Sequence, residues 1–163
     1  MRIESRQQLI ECRKEYKNAL DCQYKQVVIC GGSGCVAGGS LKVYDRMKQL
    51  MEERGLRIDV VLQHESHDES IGLKHSGFCE MGPLVRIEPE GYLYTKVKLS
   101  DCEEIVEKTI LNNEVIDRLV YHDDGESYVR QEDIPFYKQQ TRVALEHCGH
   151  INAESVEEYI AVG

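Results

Sequence analysis

The segment Cys30-Gly31-Gly32-Ser33-Gly34-Cys35 places two thiols at the ends of a glycine-rich loop. Glycine lets a backbone wrap closely and turn its N–H groups toward an anionic centre. Such donors stabilise thiolates on an inorganic cluster and raise its potential. A second segment follows, His75-Ser76-Gly77-Phe78-Cys79-Glu80-Met81-Gly82-Pro83. Two thiolates from each of two loops close a 2Fe–2S site. Cys79 is available in the second loop, and the fourth position is the open one. The blander reading makes Cys30 and Cys35 small buried hydrophobes, as cysteine often is. Clustering with glycine on two separate loops weighs against it.

Other glycine-loop chemistries fail on spacing. No Gly-Lys-Ser or Gly-Lys-Thr follows, which excludes a P-loop. Gly32, Gly34 and Gly38 miss the register of a dinucleotide fingerprint. A thioredoxin-type dithiol needs Cys-x-x-Cys, and no cysteine pair has it. The chain holds seven cysteines, an odd count that rules out pairing all of them within one chain. A reducing cytosol disfavours disulfides, so metal binding or redox chemistry gains weight. The remaining cysteines have duller readings. Cys12 and Cys102 sit at helix-core positions, Cys22 is loop-exposed or semi-buried, and Cys148 packs against a partner domain. His64, Glu65, His67 and Asp68 could take adventitious metal, but a solvated polar loop is the better reading.

The elements that would position these loops follow from periodicity. Ser5 to about Leu20 reads as a helix with a narrow apolar face of Leu9, Cys12, Tyr16 and Leu20. Gln26–Cys30 is a buried β-branched strand ending at the glycine loop. Leu41, Val43, Tyr44, Met47, Leu50 and Met51 make an amphipathic helix, with Ser40 as N-cap and Gly55 ending it. Residues 58–62 read as a second strand. Residues 84–87 and 92–97 flank Glu88-Pro89-Glu90-Gly91 as a β-hairpin. Ser100 and Glu103 suggest a capping box for a helix with Cys102, Ile105, Val106, Ile110 and Leu111 on one face. The order strand, helix, strand, loop, hairpin, helix predicts an α/β fold, a small mixed sheet with packed helices. Loops at strand ends are where such folds place chemistry. After Asn112, residues 121–127 read as a polar turn, 134 to about 147 as a short helical stretch, and 153–160 as a last helix. This tail is too poor in apolar residues for a second core and is expected to dock onto something else.

At 163 residues the chain has room for about one ordinary domain. Its 41% hydrophobic content suffices for a core. The formal charge of -9 argues against a nucleic-acid backbone binder or adsorption to anionic lipid. No apolar run suggests a membrane span, and the opening residues lack a secretory apolar stretch, so the expected compartment is the cytoplasm.

The whole chain resembles the N-terminal part of the flavin-containing, NADH-oxidising subunit of electron-bifurcating iron-only hydrogenases and related NAD(P)-reducing hydrogenases. It is also similar to the small 2Fe–2S subunit of respiratory NADH dehydrogenase. The resemblance is carried by Cys30 to Cys35, by Phe78-Cys79-Glu80-Met81-Gly82-Pro83-Leu84-Val85 and by Pro89-Glu90-Gly91. It continues in Ile134-Pro135-Phe136-Tyr137 and in Cys148-Gly149 through Glu157-Glu158-Tyr159-Ile160.

The resemblance implies a thioredoxin-like ferredoxin domain over 23–112, behind an N-terminal amphipathic helix over 1–22. A C-terminal helical extension over 113–163 would lead toward an FMN and NAD domain beyond Gly163. The implied partners are other hydrogenase or dehydrogenase subunits bearing iron–sulfur clusters, with no nucleic acid. Its ligand pattern is Cys-x4-Cys, then Cys-x3-Cys. Cys30, Cys35 and Cys79 fall on three of these positions and His75 on the fourth. The family usually reads Gly-Cys-His-Gly-Phe-Cys where this chain has Lys74-His75-Ser76-Gly77-Phe78-Cys79. Three outcomes follow: His75 completes a 2Fe–2S site, as imidazole does in some centres; water or a carboxylate completes a labile one; or zinc takes the degenerate set. The expected function is one-electron relay by a chain not catalytic alone. The alternative is a redox-inactive docking domain, metal-free or zinc-bound.

Overall fold

The computed structural model describes residues 3, 5–21, 25–63, 78–141, 143 and 155–162, with the side chains of 18–21 and Cys79 left out. They form two compact units, one around the first and last helices and one holding residues 25–63 and 78–141.

In the first unit, α1 (Arg6–Asp21) packs against α6 (Val156–Val162). The Arg13 guanidinium donates to the Val162 carbonyl at 3.3 Å. Cys12 and Tyr16 of the expected apolar stripe are half-buried, while Leu9 is exposed.

The second unit is built on a four-stranded sheet in the order β2-β1-β3-β4. Its strands are β1 (Gln26–Cys30), β2 (Asp59–Gln63), β3 (Val85–Glu88) and β4 (Tyr92–Tyr94). β1 runs parallel to β2 and antiparallel to β3, and β3 runs antiparallel to β4. Strand residues alternate between faces. Val27 and Ile29 of β1 and Val85 and Ile87 of β3 therefore share the fully buried face. Val43, Met47, Leu50 and Met51 of α3 (Ser40–Glu53) cover that face at helical spacing. Cys102, Ile105, Val106 and Ile110 join them from a second helix.

α3 ends as expected. Gly55 adopts φ 63°, its N–H donates to the Glu52 carbonyl at 3.1 Å, and the Leu56 N–H donates to Met51 at 2.9 Å. This Schellman cap needs a residue without Cβ strain. The start differs. Gly39 takes the N-cap position and Ser40 is the first helical residue, fully buried. Only Gly38 and Gly39 separate α3 from the short α2 (Ser33–Ala37), so the turn between them leaves Ser40 inside the helix.

The later helix also departs from the simple pattern. It begins as a 3-10 turn (Leu99–Asp101), continues as α4 (Cys102–Glu104) and becomes π-helical over Ile105–Leu111. The capping carboxylate is Asp101, which accepts the Lys98 N–H at 2.8 Å, rather than Glu103 paired with Ser100. The wider π turn carries Leu111 outward to 52% exposure and brings Thr109 inside. Thr109 Oγ1 sits 2.6 Å from the Tyr94 hydroxyl and donates to the Glu114 carbonyl at 2.9 Å. The Tyr94 hydroxyl accepts the Ile116 N–H at 3.2 Å, so this buried hydroxyl chain is satisfied.

Residues 113–141 lie in the sheet-bearing unit, and Ile116, Leu119 and Val120 enter the main core. Residues 121–128, read from sequence as a polar turn, form a hairpin of β5 (Tyr121–Asp123) and β6 (Glu126–Tyr128). The turn residues Asp124 and Gly125 have φ 46° and 82°, the left-handed pair that an Asp-Gly hairpin turn uses. β4 is tied to this region, since Leu93 donates to Val129 at 2.8 Å and Thr95 to Leu119 at 2.7 Å. The helical stretch from Ile134 is one short turn, α5 (Pro135–Lys138), and residues 144–154 lie outside the described set. No helix among the described residues is long and apolar enough to cross a membrane.

Candidate metal centre

Cys30 is the last residue of β1, half-buried and paired in register with Gln63. Its N–H donates to the Leu84 carbonyl at 3.0 Å, and the Gly31 N–H donates to the Gln63 carbonyl at 2.5 Å. These two amides are thus committed to the sheet and do not face a ligand, unlike the open loop expected from glycine content. Gly31 and Gly32 are buried, and Gly32 caps α2 with extended φ −61° and ψ 152°. Cys35 is the third residue of α2 and fully buried. The first-turn amides of a helix have no acceptor within it.

The second segment reaches the same end of the sheet. Phe78 leads into a 3-10 turn, Cys79–Met81, whose backbone lies near α2. The turn is anchored on both sides: Met81 donates to Phe78 at 2.9 Å, and Lys96 donates to the Met81 carbonyl at 2.8 Å. Pro83 accepts from Val97 at 3.1 Å. A Cβ on Gly38 would sit 3.2 Å from Pro83 Cδ, so the absence of a side chain there lets α2 and the second segment approach. The cysteine loop and the Cys79 turn therefore converge in backbone. His75 and the side chain of Cys79 lie outside the described residues, as do Cys22, Cys148 and the 64–68 group.

The surroundings of Cys35 are apolar. Cys35 is buried with Leu84, Leu93 and Ile134, and Cys30, Phe78, Met81, Tyr121, Tyr128 and Tyr137 pack around them. Phe78 meets Tyr121 edge-on with ring centres 4.7 Å apart, and meets Tyr137 at 6.1 Å. Sequence reasoning missed this aromatic wall. The one available signal was the Asp124-Gly125 turn, which brings Tyr121 and Tyr128 together as paired strand residues. Among the described residues no three His, Cys, Asp or Glu side chains gather as metal ligands. Cys30 and Cys35 beside the Cys79 turn are soft sulfur donors in apolar surroundings, a chemistry that fits iron–sulfur or zinc.

Cys102 behaves differently. It is fully buried, and its Sγ lies 3.7 Å from the Lys98 carbonyl. Burial first, then the neighbouring Asp101 carboxylate, push its thiol up to about 11. A thiol held protonated is neither nucleophile nor ligand at neutral pH. Cys12 is half-buried on α1.

The mixed α/β unit thus brings two cysteine-bearing segments together in backbone at one end of its sheet. A curated 2Fe-2S ferredoxin of Clostridium pasteurianum is 32% identical over 85 residues, 52% of this chain and 76% of that protein. On that match, the chain belongs to the 2Fe-2S ferredoxin family. A 2Fe-2S ferredoxin of Aquifex aeolicus is 48% identical over 42 residues, 26% of this chain and 38% of that protein. No family model matches. The crystal structure of a wild-type thioredoxin-like 2Fe-2S ferredoxin from Aquifex aeolicus aligns at TM-score 0.48 and 27% identity, covering 63% of this chain and all of that one. A cysteine-to-serine variant of it aligns at TM-score 0.49 and 23% identity, covering 61% of this chain.

Proposed function

We propose that this chain is a one-electron carrier holding a 2Fe–2S cluster on Cys30, Cys35, Cys79 and His75. The approach of the Cys79 turn to the helix that bears Cys35 carries this reading, and membership of the ferredoxin family supports it. When bound, the cluster supplies a one-electron couple. The chain's residues bind and insulate it. β1 and α2 hold Cys30 and Cys35 on hydrogen-bonded backbone, and Leu84, Leu93 and Ile134 exclude water from the inner side. A dry surround strengthens the response of the potential to nearby charge. Histidine in place of one thiolate makes the ligand set less negative, which raises the potential. Its setting is an NAD(P)H-dependent hydrogenase or dehydrogenase complex in the cytoplasm, as the sequence resemblance implies.

Anaerobic purification with iron and acid-labile sulfide analysis, followed by EPR after dithionite, tests the reading. Two irons and two sulfides per chain with a rhombic reduced signal are expected. His75→Ala should lower iron retention, and His75→Cys should keep the iron and lower the potential. One zinc per chain without a reduced signal would replace the relay with a docking domain built on the same donors.

A further inference from the structure

We propose that the aromatic wall beside the cysteine site, ending at Phe136, is the docking face for a protein electron-transfer partner that carries a basic rim around an apolar pocket. The purpose of this face rests on the relay reading above. Phe136 is 67% exposed. Its ring meets Tyr137 edge-on at 5.2 Å, Tyr137 meets Phe78 at 6.1 Å, and Phe78 adjoins Cys79 in the chain. The outermost ring of the row thus stands on the same wall as the candidate centre.

Its presentation is rigid. Ile134 is buried, Pro135 opens α5, and the Tyr137 and Lys138 amides both donate to the Ile134 carbonyl at 2.9 Å. A large aromatic ring fixed outward on an anchored turn matches the anchor residues that dominate interface energies. Exposed carboxylates flank it in sequence, Glu132 and Asp133 just before α5; Glu80 follows Cys79, and Asp123, Asp124 and Glu126 stand on the hairpin whose Tyr121 meets Phe78. Arg130 and Lys138 are the exposed bases in the same stretch. The acidic excess selects a basic partner and opposes docking of a second copy with the same rim. A small apolar centre in a charged rim suits the short-lived encounters of electron transfer. A cluster held at the cysteine site would supply one electron to one ferric haem of the partner, reducing it to ferrous, with no bond made or proton moved.

Ferricytochrome c, a basic one-electron haem protein, is the probe. Its binding to the full 15N-labelled chain is followed by chemical-shift titration at two salt concentrations, and haem reduction by dithionite-reduced chain is followed at the haem band. Shifts centred on 132–138 are expected. Phe136→Ala should weaken binding by about tenfold, with circular dichroism unchanged. Glu132→Lys with Asp133→Lys should weaken it and flatten its salt dependence. Leu111→Ala, an exposed apolar control, should bind as the wild type. The proposal falls if Phe136→Ala binds unchanged, if Leu111→Ala loses as much, if the wild type does not bind, or if Phe136 instead supports self-association. Binding through Phe136 without haem reduction keeps the docking face and removes the relay. Haem reduction indifferent to Phe136 does the reverse.

Discussion

Cys35 and Cys102 are both fully buried on short helical segments, yet they stand in two different regions. Cys102 belongs to the main core, where Val27, Ile29, Met47, Ile87, Ile105 and Val106 meet on one sheet face. Burial first, and then the Asp101 carboxylate, keep its thiol protonated. Cys35 belongs to a smaller cluster at the end of the sheet, where a second cysteine-bearing turn comes near and aromatic rings close the outside. Burial is therefore common to both cysteines, and the nearby Cys79 turn is what sets the surroundings of Cys35 apart.

Three changes would break or sharpen this contrast. Met47 is fully buried in the main core. Met47→Ala should cost about 2–5 kcal/mol in urea unfolding through lost contacts and a cavity. The metal content of folded protein should be unchanged; loss of metal in folded Met47→Ala would mean that the two regions are coupled. Tyr94→Phe removes the hydroxyl that links Thr109 and the Ile116 amide. It should cost about 1–3 kcal/mol, because a buried amide loses its acceptor. Hydrogen exchange should report the loss at Ile116 and spare Cys30.

The smallest effect is a pH dependence. In the unfolded chain the Cys102 thiol titrates near 9.0, and in the folded chain near 11. Between these values the unfolded state loses its proton first. The stabilisation present below pH 9 is lost as pH rises through 11. Unfolding at pH 8, 9, 10 and 11 should show this loss, and Cys102→Val should remove that component. Iodoacetamide at pH 8 should label Cys30 of metal-stripped chain and leave Cys102 unmodified. Labelling of Cys102 at the same rate would erase the contrast.

Much of the sheet was legible because its signals are local. β1 is Gln26 followed by four apolar positions, three of them β-branched, ending at a glycine loop, and the cap at Gly55 follows from one residue type. The π stretch was not legible. Its register shift depends on Thr109 reaching both Tyr94 and the Glu114 carbonyl, contacts that no helical periodicity encodes. The capping box lay two residues early because a shorter aspartate at 101 reaches the Lys98 amide. Residues 113–141 read as apolar-poor, yet Ile116, Leu119 and Val120 are buried singly from turns, without a repeating face.

The order of residues alone determined the two cysteine segments, the chain's acidity and the alternation that selects one sheet face for the core. Each is a property of neighbours in sequence. Only the tertiary structure decided that the Cys79 turn meets α2, that Cys30 and Gly31 commit their amides to the sheet, and that Phe78, Tyr121, Tyr128 and Tyr137 form a wall around Cys35. Those contacts join segments far apart in the chain, and packing rather than local preference sets which of them meet.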